Sequence, residues 1–131
     1  MITVTRVFDA PREMVFRAWT DPDHVAAWFG PAGFVTPRDS VDIDLRVGGR
    51  FDLSMVRDGA ERRLHYEIVE LVEPELLVLK SEATVTRVEL EDEGGRTRMT
   101  LTDGPYPEEV GRGAGAGWES AFEKLAARLA A

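Results

Sequence analysis

The first eight residues, MITVTRVF, alternate, with Ile2, Val4, Arg6 and Phe8 on one side and Thr3, Thr5 and Val7 on the other. That period of two predicts a half-buried strand. The next stretch, DAPREMVFRAWTD, moves to helical spacing and places Val15, Ala18 and Trp19 on one face. Asp9 is the expected cap of this helix, Pro11 suits its first turn, and Glu13 complements the dipole there. Asp21-Pro22 ends it, and PDHVAAWFG predicts a second short helix closed by Gly30-Pro31. From Val41 the period returns to two. Val41, Ile43, Leu45 and Val47 share a face, Gly48-Gly49 turns the chain, and Phe51, Leu53 and Met55 point inward on the next strand. Asp58-Gly59 turns again into RRLHYEIVELV, Glu73-Pro74-Glu75 interrupts, and LLVLKSEA follows. TVTRVELED and RTRMTLTDG predict a hairpin across Glu93-Gly94-Gly95, and after Gly104-Pro105 the pattern is helical to the end. Hairpin-length connections exclude parallel crossovers. The expected class is α+β: a curved antiparallel sheet of about six strands, two short helices after the first strand, and a long C-terminal helix.

The chain has 131 residues, the usual size of a single domain, and no repeat or linker divides it. It carries 24 acidic and 16 basic residues for a net charge of −8, the wrong sign for a general nucleic-acid binder. No apolar run approaches the roughly 20 residues of a membrane span, and no membrane association is expected. The opening residues have neither the basic start nor the apolar block of a signal peptide, so a cytoplasmic protein is expected. With no cysteine, there is no disulfide framework and no thiolate ligand or nucleophile.

The segment VGRGAGAGWESAFEKLAARLAA contains a literal G-x-G-x-x-A from Gly111 to Ala116. A dinucleotide or phosphate loop needs a strand feeding directly into the glycines and a second strand after the helix. Here Pro105, Pro107, Glu108 and Glu109 precede the glycines, and only helical sequence follows them. No cofactor is expected. On a helical wheel Trp118, Phe122, Leu125 and Leu129 form one stripe, which runs back through Ala114, Gly115 and Gly111. Interior glycines cost a helix roughly 0.8–1 kcal/mol each relative to alanine. The small residues therefore mark a frayed start, close packing on the sheet, or a cavity beside Gly111 and Gly115.

Taken together, VFDAPREMVFRAWTDPDHVAAWFGP, DLRVGGRF, VEPELLVL and GWESAFEKL resemble the activator of heat-shock-protein-90 ATPase homologue-like family, in the START-like SRPBCC superfamily. The likeness runs from Arg6 to Leu129. It implies a helix-grip fold, in which the sheet wraps the C-terminal helix over a hydrophobic cavity. It also implies either binding of a small hydrophobic ligand, cyclase or hydrolase chemistry, or a co-chaperone-like interaction module. The extra domain that flanks the eukaryotic co-chaperone is missing from these residues, so a chaperone partner is the less favoured expectation. A homodimer stays open.

Phe51, Met55, Tyr66, Met99, Trp118 and Phe122 are the inward residues expected to line a pocket, beside Gly111 and Gly115. Trp28 is expected either to plug the cavity mouth or to anchor its loop in the core. The sequence favours no catalytic residue. His65 and Glu67 share a strand face and could act as a base oriented by a carboxylate if that face met the cavity. Leu64, Tyr66 and Ile68 make the better core face, although a bulge could swap the assignment further along. His24, beside Asp21 and Asp23, is expected to be a solvated helix-start residue. No histidine spacing suits a metal.

Overall fold

A computed structural model describes residues 1–130. In chain order it contains β1 (Ile2–Phe8), α1 (Arg12–Thr20), α2 (Pro22–Trp28), β2 (Asp42–Ile43), β3 (Arg50–Arg57), β4 (Ala60–Val72), β5 (Leu76–Lys80), β6 (Val85–Glu93), β7 (Arg96–Gly104) and α3 (Glu108–Ala130). The seven strands form one curved antiparallel sheet in the order β1-β7-β6-β5-β4-β3-β2. β1 pairs with β7, the last strand in sequence, so the N-terminal strand lies beside the strand that leads into α3. The strand count is one above the six expected.

Local chemistry sets most of these elements. The β6–β7 hairpin closes on Gly94 and Gly95, both at positive φ (67° and 91°), the backbone of a two-residue turn that suits the sheet twist. β4 carries a bulge between Ile68 and Glu70. Leu64, Tyr66 and Ile68 face inward before it and Leu71 packs on the core after it, while His65 and Glu67 stay exposed. The bulge swaps the inward phase beyond Ile68 and leaves the histidine outside.

Two sequence expectations are corrected. Asp9 does not cap α1: Pro11 occupies the cap position and no side chain bonds there. The alternation over Val41–Val47 does not make one strand. The ladder stops at Ile43, and Leu45 and Val47 are exposed. The chain curls instead into a tight loop, with Arg46 N–H donating to Asp44 O (2.9 Å) and Gly49 N–H to Arg46 O (2.8 Å). A Cβ on Gly49 would lie 1.9 Å from Asp44 O, so only glycine permits this curl.

The core lies between the sheet, α1, α2 and α3. Trp19 sits at its centre, its ring centroid 4.7 Å from that of Trp28 and 6.3 Å from that of Phe122. Its indole N–H is directed at Met99 Sδ, 3.2 Å away. Phe122 and Leu125 are fully buried from α3, each contributing about 1.5–3 kcal/mol by leaving water. No described helix is long and apolar enough to cross a membrane.

Candidate ligand-binding cleft

The N-terminal half of α3 is glycine-rich on two neighbouring faces, and they meet different surroundings. On one face, a Cβ at Gly111 would lie 3.2 Å from Ile2 Cγ2 and 3.6 Å from Tyr106 Cβ, and one at Gly115 would lie 3.9 Å from Ile2 Cδ1. The expected cavity beside Gly111 and Gly115 is therefore filled by the first strand. On the other face Val110, Gly113, Ala114, Gly117, Trp118 and Ala121 recur at helical spacing and border a cleft of about 270 Å³, open on one side.

The opposite wall comes from three places. Phe29, Gly30 and Pro31 follow α2; Met55 comes from β3; Arg62, Leu64 and Tyr66 come from β4. The loop after α2 is pinned to the helix that it faces. Ala32 N–H donates to Ser120 Oγ (2.7 Å), and Lys124 Nζ approaches Phe34 O (3.4 Å). Partial burial there lowers the Lys124 pKa below its usual value.

Asp103, the penultimate residue of β7, lies at the base of the cleft and is only 2% exposed. Its Oδ1 accepts from Thr86 Oγ1 (2.7 Å) on β6, and its Oδ2 accepts from Tyr106 Oη (2.7 Å) and Trp118 Nε1 (2.9 Å). Three donors in good geometry offset much of the cost of burying this side chain. Burial, followed by the Asp103 charge, pushes the Tyr66 phenol up to about 12. Burial also raises Tyr106, helped by its hydrogen bond to Asp103. Both rings stay neutral across the physiological range.

The structure divides the residues expected at the site. Met55, Tyr66 and Trp118 line the cleft. Trp28, Phe51, Met99 and Phe122 are fully buried core residues instead. Trp28 is an anchor, its indole N–H donating to Ala18 O at 2.8 Å. His65 lies on the outer sheet face, 3.4 Å from Asp52 Oδ2, and Glu67 is exposed on the same side. His24 accepts from Arg128 at the surface. Asp103 and Tyr106 were missed. Thr97, Met99, Leu101 and Asp103 alternate as the inward face of β7, so the period that marked the strand also pointed its last carboxylate inward.

A sheet that grips a long C-terminal helix over a partly apolar cleft defines the helix-grip class of START-like domains. The family model described as "Activator of Hsp90 ATPase homolog 1-like protein" matches residues 9–130, and the chain belongs to that family. Its fold is similar to that of a protein from Chromobacterium violaceum, with TM-score 0.87 and 25% identity over 98% of this chain and 95% of that one. A protein from Arthrobacter aurescens gives 0.85 and 25%, over 98% of this chain and 84% of that one. The AHSA1 protein from Silicibacter pomeroyi gives 0.79 and 22%, over 98% and 96%, a likeness of fold alone. No curated protein matches the chain. Family and fold support a ligand-binding or co-chaperone-like module.

Proposed function

We propose that this protein is a cytoplasmic, single-domain, non-catalytic binder of a small and mainly apolar molecule, held between α3 and the sheet. The observation that carries this reading is the cleft itself. Aromatic side chains from the loop after α2, from β4 and from α3 surround a space that the small residues of α3 leave open, and a Cβ on Gly113 would meet nothing within 4 Å. Small-molecule sites are typically concave and largely apolar, with a few placed polar groups. Catalysis is the weaker reading: of Tyr66, His65 and Glu67 only Tyr66 borders the cleft, and the carboxylate that does border it, Asp103, is engaged by three donors.

Indole, a compact neutral aromatic, is a suitable probe. Titration into the wild type should give saturable shifts of the Trp118 indole N–H resonance, and Ala114→Phe, which fills the cleft, should abolish them. Equal binding by the filled variant would place the probe elsewhere and sink the proposal. Native mass spectrometry of freshly purified protein would then look for the natural occupant.

A further inference from the structure

We propose, building on the cleft-binding reading, that the preferred ligand is an organic cation: a protonated amine on a compact apolar body, its ammonium group seated against Asp103. Asp103 is buried, and its three side-chain partners, Thr86, Tyr106 and Trp118, are all neutral. It forms no ion pair among the described residues. A carboxylate offers about four acceptor sites, so roughly one remains for a ligand. A buried charge without an opposite charge is an unusual arrangement, and a cationic ligand would complete it.

The surroundings favour the same sign. Phe29, Tyr66, Tyr106 and Trp118 border the cleft, and the faces of aromatic rings attract ammonium groups. Tyr66 makes no side-chain hydrogen bond among the described residues, so its hydroxyl oxygen is available to accept one from the ligand. Its raised pKa keeps that hydroxyl neutral, so it adds no charge of its own. Among the described residues Arg62 is the one basic residue bordering the cleft, and it is exposed, where water and salt screen it. A fatty acid or other anionic amphiphile placed in the same way would set its carboxylate against Asp103.

Three probes of matched shape test this on the intact protein: 2-phenylethylamine, 2-phenylethanol and phenylacetate, each titrated while the Trp118 indole N–H is followed by NMR. The amine should bind at least tenfold tighter than the alcohol, lose affinity as salt is added, and leave phenylacetate weakest. Asp103→Asn should remove the preference for the amine while the alcohol still binds. The wild-type ranking decides the matter even if that variant folds poorly. Equal affinities, or tightest binding of phenylacetate, overturn the cation inference and leave the cleft reading intact. Failure of all three probes, together with failure of indole, overturns both.

Discussion

The indole N–H of Trp118 donates to Oδ2 of Asp103 at 2.9 Å, tying the cleft face of α3 to the end of β7. Tyr106 donates to the same oxygen from the link between them, so strand, link and helix meet at one buried carboxylate. Removing it leaves three donors short of an acceptor. Asp103→Ala should lower unfolding stability by about 2–3 kcal/mol, seen as a lower urea midpoint with an unchanged slope. An unchanged midpoint would show that water replaces the carboxylate without loss.

The two glycine faces of α3 should answer differently to alanine. Gly113→Ala meets open space and should stabilise by about 0.5–1 kcal/mol through helix propensity. Gly111→Ala places its methyl 3.2 Å from Ile2, and Ile2 must shift, so its gain should be smaller or reversed. Thermal melts of the two variants compare them directly, and a larger gain for Gly111→Ala would contradict the packing described.

Gly49 offers a sharper test. Its added Cβ would meet backbone, which cannot rotate aside, at 1.9 Å from Asp44 O. Gly49→Ala should cost about 2–4 kcal/mol or abolish folding. Gly48→Ala, with nothing within 4 Å but a positive φ of 86°, should cost about 1 kcal/mol. Soluble yield and denaturant midpoints separate the two cases.

Alkaline pH should destabilise the fold through its tyrosines. The Tyr66 pKa is raised in the folded state, so its contribution is fully present below about pH 10 and is lost as pH rises towards about 12. Tyr106 shifts in the same direction. These are the chain's only two tyrosines, so phenolate absorbance should stay low at pH values where a free phenol ionises, then rise together with unfolding. Tyr66→Phe should make the alkaline loss of stability shallower. Phenolate appearing near pH 10 in a protein still folded by circular dichroism would contradict the partial burial of the two rings and the Tyr106–Asp103 hydrogen bond.

Much of the fold was legible because it rests on local periodicity. The alternation of β3, the Asp58-Gly59 and Gly94-Gly95 turns and the helical spacing of Val15, Ala18 and Trp19 are properties of a few neighbouring residues. The same reasoning overran at Leu45 and Val47, where a tight curl stitched to β4 overrode a good strand pattern. The site was less legible. Periodicity says which residues point inward, but it does not separate the residues that meet other side chains from those that border open space. Phe51 and Met99 became core, and Met55 and Tyr66, from the same inward set, became cleft wall.

From the sequence alone came the antiparallel sheet, the long C-terminal helix with small residues in its first half, and the resemblance to the family. The elements follow from side-chain period and turn chemistry, which short segments carry, and the family from the resemblance of its ordered motifs. Which glycines border the cleft was decided by tertiary structure. β1 pairs with β7 across nearly a hundred residues and brings Ile2 against Gly111, leaving Gly113, Ala114 and Gly117 to face the cleft. The β6–β7 hairpin set Thr86 opposite Asp103, and the link after β7 and the return of α3 brought Tyr106 and Trp118 to the same carboxylate. The pairing of β1 with β7 depends on the path of the whole chain, and no local pattern encodes it.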